Sequence, residues 1–180
     1  MSVPALPGEL SPRDELERIV RVDHAGEYGA VRIYEGQLAV LGQGKAGPAL
    51  RHMREQERAH LDRFKALIVS RRVRPTALLP LWHVAGFALG AATAALGEKA
   101  AMACTVAVED AIADHYAGQA ARLGADEAEL RATIETFRAE ELAHRETALA
   151  HDATAAPGYR LLYRAIHTGC RIAIRLSERI

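Results

Sequence analysis

The chain reads as an all-α protein, a four-helix bundle with two additional helices, one apolar and one amphipathic. Three observations predict this. Ala, Leu, Glu and Arg dominate while aromatic residues make up only 5%, a composition that favours helices. Apolar residues recur at three- and four-residue steps along four long stretches, which is helical spacing. No stretch alternates with period two over a useful length, so essentially no sheet is expected.

Each element follows from local signals. Ser11-Pro12-Arg13-Asp14 reads as a helix start, with Ser11 at the N-cap, Pro12 in the first helical position and Asp14 against the positive helix end. That helix runs to Leu41, where Gly42, Gly44, Gly47 and Pro48 break the pattern. A second helix covers 48–72 and stops before Pro75, and a third, uncharged segment covers 76–97. A fourth helix runs from Glu98 to Leu123 and ends at Gly124, a fifth covers 126–151, and a sixth follows Pro157-Gly158 to the C-terminus.

With 180 residues the chain is long enough to bury a core as one domain, 1–180, without disulfides or structural zinc. Residues 1–10 are expected to be flexible. Lys+Arg and Asp+Glu balance at 23 each, so nothing in the charge suggests nucleic-acid binding. Cys104 and Cys170 match no zinc or redox spacing and read as reduced, buried thiols. The first ten residues lack a basic segment followed by an apolar one, so no signal peptide is expected. Neither do they show an Arg/Ser-rich presequence, which points to a bacterial cytoplasmic origin.

Carboxylates interrupt the apolar seams. The first helix gives Leu16, Val20, Asp23, Glu27, Val31, Tyr34 and Leu38; the second gives Leu50, Met53, Glu57, His60, Phe64 and Leu67. The fourth gives Met102, Thr105, Glu109, Ile112 and Tyr116; the fifth gives Leu130, Ile134, Phe137, Glu141, His144 and Ala148. Residues at such steps share a helix face, so these Glu and His side chains stand where Leu is expected. An unpaired buried carboxylate costs several kcal/mol. Four converging would repel strongly unless cations compensate. Two metal ions do so, and Glu with neutral His suits iron or manganese. One Glu from each of two helices plus Glu-x-x-His from two others is the ligand pattern of ferritin-like di-metal bundles. The order also repeats: Glu27 precedes Glu57-x-x-His60 by 30 residues, and Glu109 precedes Glu141-x-x-His144 by 32. The chain thus reads as two helical hairpins, each supplying half of a pseudo-symmetric site. Glu-x-x-His pairs alone are weak evidence; their placement in seams is much stronger.

The chain resembles the demethoxyubiquinone hydroxylase family of ubiquinone biosynthesis. The matching strings are RVDHAGEYGA at 21–30, VRPT at 73–76, PLW at 80–82, GFALG at 86–90, AMACTVAVE at 101–109 and LSER at 176–179. They span nearly the whole chain. The resemblance implies a ferritin-like di-iron monooxygenase with Glu27, Glu57, His60, Glu109, Glu141 and His144 as its six iron ligands, Glu57 and Glu141 bridging. It implies two iron ions, dioxygen as co-substrate, and ring hydroxylation of a polyprenyl demethoxyubiquinol; the sequence itself does not identify the external electron donor, for which NADH is a candidate. Another di-metal oxidase is the nearest alternative, although ferritins lack an uncharged stretch like 76–97 and rubrerythrins carry a Cys-x-x-Cys module absent here. A metal-free membrane-surface scaffold in a quinone-biosynthesis complex would leave the carboxylate seams unexplained.

Tyr116 lies seven residues after Glu109 on the same face and is a candidate to line the pocket above the metals. His115, one position off, is a candidate for head-group contact or proton relay. An ordinary core tyrosine and a hydrogen-bonded histidine are the plain readings of the pair. His24, His52, His83, His151 and His167 are given no metal role.

Between Arg74 and Glu98 lie 23 uncharged residues, long enough in principle to span a bilayer. Pro80, His83, Gly86 and Gly90 argue against spanning, as does the need for the fourth helix to return to the same bundle. The segment 76–97 is expected to lie in a membrane surface or to open as a lipid-facing gate, with an ordinary core helix as the competing reading. In 157–180, Arg160, Arg164, Arg171 and Arg175 share one face and Leu161, Leu162, Ala165, Ile166, Ile172, Ala173 and Leu176 gather on the other, the pattern of a basic amphipathic helix at anionic headgroups. Together the two segments, with Trp82 and Phe87, form the expected entrance for a lipid substrate. The expected location is the cytoplasmic face of a bacterial inner membrane, or the matrix side of the mitochondrial inner membrane for a processed chain. A lipid-presenting partner, other ubiquinone-biosynthesis enzymes or a second copy of the chain are the expected protein partners.

Overall fold

The computed structural model describes residues 10–180, so all of the expected flexible segment 1–10 but Leu10 lies outside the described residues. Helix α1 spans Pro12–Leu41 and begins as its sequence dictates: Pro12 needs no helical N–H partner, and the Ser11 hydroxyl accepts the Asp14 amide at 3.1 Å. Helix α2 spans Gly47–Ser70. Helix α3 spans Leu79–Ala95, shorter at both ends than the expected 76–97. Thr76 instead caps a turn, its hydroxyl accepting the Leu78 amide at 3.2 Å.

Gly97, at φ 111°, turns the chain straight into α4, Glu98–Ala120; an L side chain there would strain the backbone. A 3-10 turn precedes α5, Ala128–Ala150. A second turn and Gly158, at φ 69°, lead into α6, Tyr159–Ser177. Among the described residues there is no strand. The architecture is the expected ferritin-like helical bundle with two added helices.

Two antiparallel pairs, α1 with α2 and α4 with α5, supply the four seams. Their apolar residues close over a core that includes Ile19, Phe64, Leu130 and Ile134. The added helices flank the pairs, α3 against α1 and α6 against α4.

Helix α3 packs tightly because glycines permit it. A Cβ at Gly90 would collide with the Ile33 carbonyl, and one at Gly36 would collide with the Phe87 carbonyl. The two backbones therefore approach closer than most side chains allow. Only this face of α3 is covered: Gly86, Gly90, Thr93 and Ala94 are buried, whereas Leu81 and Val84 are exposed. Helix α6 likewise buries a narrow strip around Ile166 and leaves Leu161, Ile172 and Leu176 exposed. No helix among the described residues is long and apolar enough to cross a membrane.

Candidate metal centre

The four seams deliver their carboxylates to one place. Glu27, Glu57, His60, Glu109, Glu141 and His144 are each at most 3% exposed. They form two overlapping groups, Glu27-Glu57-His60-Glu141 and Glu57-Glu109-Glu141-His144, whose ligand atoms lie within 4.8 Å of one another. Glu57 and Glu141 belong to both. His60 Nδ1 sits 3.1 Å from Glu141 and 3.6 Å from Glu27. His144 Nδ1 sits 3.0 Å from Glu57 and 3.4 Å from Glu141.

These residues keep atoms that nothing satisfies. Glu27 Oε2, both oxygens of Glu57 and of Glu141, Glu109 Oε2, and Nδ1 of His60 and His144 are buried without a hydrogen-bond partner. Native chains seldom tolerate such a cluster, since each orphan costs roughly 1–3 kcal/mol, and more when charged. Six carboxylate oxygens from four glutamates, beside two imidazole nitrogens, are a donor set for hard or borderline divalent cations. The residues therefore fit two metal ions.

Without a cation the group retains protons. Desolvation, helped by the Glu141 charge, pushes the carboxyls of Glu57 and Glu109 well above the ordinary range, and burial raises Glu141 too. Burial also works against the charge on Glu27, but the His60 imidazole outweighs it and lowers that carboxyl. Desolvation opposes charge on His60 as well, yet the Glu141 and Glu27 carboxylates beside its ring carry it up to about 11. His144, with desolvation dominant, is lowered.

The surroundings repeat crosswise. The Tyr116 hydroxyl, on α4, donates to Glu27 on α1; the Tyr34 hydroxyl, on α1, donates to Glu109 on α4. Three residues beyond each tyrosine, Gln119 Nε2 donates to Asp23 at 2.7 Å and Gln37 Nε2 reaches Thr105 at 3.3 Å. The duplication inferred from the Glu and Glu-x-x-His spacing thus extends to the residues that brace the cluster. Sequence reasoning assigned no role to Tyr34, Gln37 or Gln119. The signal was present, since a Tyr and a Gln follow both Glu27 and Glu109 at offsets of seven and ten.

Tyr116 is 1% exposed, and His115 is hydrogen-bonded to Gln119 at 2.8 Å and stands 3.6 Å from Asp23. Neither lines the large apolar cavity of the fold. Two other histidines have partners outside the cluster: His83 contacts the Tyr28 hydroxyl at 2.6 Å, and His151 pairs with Glu98 at 3.0 Å. Burial holds the thiols of both free cysteines up at about 12.

That cavity, about 430 Å³, runs between α1, α3, α4 and α6. Gly26, Gly29 and Ala30 line it around Glu27, and Val108 and Ile112 line it around Glu109, so its inner wall belongs to two of the helices that carry the cluster. Trp82, Ala85 and Leu89 form the α3 side; Ile166, Gly169 and Ala173 belong to the α6 side. Trp82 Nε1 donates to Ser177 Oγ at 3.0 Å and ties the two helices together. Phe87 is not part of this wall; its ring lies beneath the Arg32 guanidinium, 5.0 Å away.

Fold and cluster together define a helical-bundle protein able to hold metal ions between its four central helices. The chain belongs to the family described as ubiquinone biosynthesis protein COQ7, whose model matches residues 14–177. It is 58% identical over 176 residues to the 3-demethoxyubiquinol 3-hydroxylase of Rhodospirillum rubrum, covering 97% of this chain and 83% of that one. It is 55% identical over 172 residues to the mitochondrial NADPH-dependent 3-demethoxyubiquinone 3-hydroxylase of Homo sapiens, covering 93% and 79%. The mitochondrial 5-demethoxyubiquinone hydroxylase of Saccharomyces cerevisiae is 43% identical over 182 residues, covering 92% and 78%.

Proposed function

We propose that this chain is a di-iron monooxygenase that hydroxylates the ring of a demethoxyubiquinol in ubiquinone biosynthesis. Relatives named for this reaction support the substrate, and the clustered orphan atoms support two metals. Glu27, His60 and Glu109, His144 would hold one ion each, with Glu57 and Glu141 shared. Two irons held there would supply the redox chemistry that activates dioxygen. The chain's residues would fix the two ions, and the apolar cavity walls would limit water and orient the ring. Tyr116 and Tyr34 steady the terminal carboxylates Glu27 and Glu109 through their hydroxyl hydrogen bonds. His115, paired with Asp23 and Gln119, is the nearest candidate for passing protons toward that side.

The observation that carries the substrate reading is the apolar cavity that ends on the metal-bearing helices. A quinol ring fits beside Gly26 and Gly29, and an isoprenoid tail can leave between α3 and α6. Exposed apolar strips border both helices: Leu81 and Val84 on α3, Leu161, Ile172 and Leu176 on α6. At 100° per residue the α6 strip lies between the cavity-facing residues and the exposed row Arg160, Arg164, Arg171, Arg175. An apolar strip edged by arginines suits the interface of an anionic bilayer, with the bundle docked peripherally on its surface. In a bacterium this is the cytoplasmic face of the inner membrane. The same exposed strips are where a lipid-presenting protein or a second copy would dock. The reductant is an external nicotinamide, as the name of the human relative indicates for that protein.

Anaerobic titration with Fe(II) tests the centre, two ions per chain being expected. Loss of this protein from its source cells should make demethoxyubiquinone accumulate, and re-expression should clear it. A chain that binds iron yet leaves that intermediate unconverted would overturn the proposed reaction.

A further inference from the structure

The pseudo-symmetry of the centre is broken by one charge. Each histidine faces the cluster with Nδ1, and its Nε2 points away, to the residue that precedes the glutamate of the opposite Glu-x-x-His. His60 Nε2 meets the Glu140 carboxylate at 2.5 Å, whereas His144 Nε2 meets the Gln56 amide oxygen at 3.1 Å. The register is the same in the two halves; the chemistry is not. An imidazole whose outer N–H donates to a carboxylate is a more basic ligand than one donating to a neutral amide, because the partial negative charge passes through the ring.

We propose that Glu140 is a positioning residue that makes the two metal positions unequal, so that the half-site of His60 holds its divalent ion more tightly than the half-site of His144. The inference rests on the reading of the six residues as ligands. The Glu140 side chain is 39% exposed, which moderates the effect and sets it at the lower end of what outer partners of ligating histidines contribute, about 10-fold in affinity.

The test isolates each half. His144→Ala leaves the His60 half, His60→Ala leaves the His144 half, and anaerobic Fe(II) or Co(II) affinity is measured in both. Adding Glu140→Gln should weaken binding about 10-fold in the His144→Ala chain and leave the His60→Ala chain essentially unchanged. Adding Gln56→Glu to the His60→Ala chain should tighten its ion by a similar factor, a gain that misfolding cannot produce. Equal losses in both halves from Glu140→Gln, or no loss in either, would overturn the inequality while leaving the metal centre intact. A wild-type chain that binds no metal would overturn the centre itself, and the inequality with it.

Discussion

The hydroxyl of Tyr116 donates to the carboxylate of Glu27 across the interface of α4 and α1, and both residues are 1% exposed. The bond holds the Glu27 carboxylate in one rotamer where no water can substitute. Replacing Tyr116 with Phe keeps the ring and deletes the donor. A buried acceptor then loses its partner, at about 1–2 kcal/mol. A lower melting temperature for the metal-free chain and reduced turnover of the loaded enzyme are expected. Turnover equal to wild type would remove Tyr116 from the working site and leave it a core residue.

The acid cluster makes metal stabilisation pH-dependent, with a definite sign. Glu57, Glu109 and Glu141 are raised from 4.5, so the folded metal-free chain binds more protons than the unfolded chain once pH climbs past that value. Its stability therefore falls as pH rises. His60, raised from 6.5 to about 11, adds a contribution that is complete below 6.5 and lost as pH passes through 11. Glu27, lowered from 4.5, acts the other way and only partly offsets them. Metal ions replace the retained protons. The increase in melting temperature caused by Mn(II) or anaerobic Fe(II) should thus be larger at about pH 8 than at about pH 5.5. An increase that does not vary with pH would contradict the cluster's proton retention.

Close helix contact at Gly90 predicts a steep cost for any side chain there. Gly90→Ala places a methyl group against the Ile33 carbonyl, so α3 must lift from α1. Urea unfolding should show a loss of about 1–3 kcal/mol, the usual range for overpacking. Gly169→Ala, whose added Cβ meets nothing within 4 Å, is the control expected to fold normally.

The cavity can be blocked without touching the proposed metal centre. Gly169 lies on its α6 wall, and Gly169→Leu grows a side chain into the path assigned to the substrate. The KM for a short-tailed demethoxyubiquinol should rise at least several-fold while iron stoichiometry stays at wild type. Trp82, the single tryptophan, forms part of the opposite wall. Its fluorescence should respond to a bound quinone, and a response absent from the wild-type chain would place the ligand elsewhere.

Exposed apolar residues on α6 give the membrane prediction. Leu161→Glu with Ile172→Glu alters side chains that are 77% and 52% exposed, so folding should hold. Sedimentation with vesicles rich in anionic lipid should drop about 10-fold or more, since burial of each leucine-sized group contributes about 1.5–3 kcal/mol. Unchanged sedimentation would assign these strips to a protein partner.

Much of this was legible in order along the chain. The start of α1 at Ser11-Pro12, its end at Leu41 and the start of α4 at Glu98 fall where caps and glycines place them. The six acids and histidines stood out because seam positions are local facts of helical periodicity. Helix α3 was harder: an uncharged segment with low periodicity looks the same whether it meets lipid or a neighbour. Gly36, Gly86 and Gly90 show their purpose only when two backbones lie side by side.

By itself, the sequence determined the helices, the buried faces and the identity of the residues that gather at the centre, because each follows from spacing within a turn or two. Tertiary structure alone decided who meets whom: Tyr116 with Glu27, Tyr34 with Glu109, His60 with Glu140, and the cavity between α3 and α6. Those pairings depend on the register of one helix against another, set by packing across distances that no local pattern encodes.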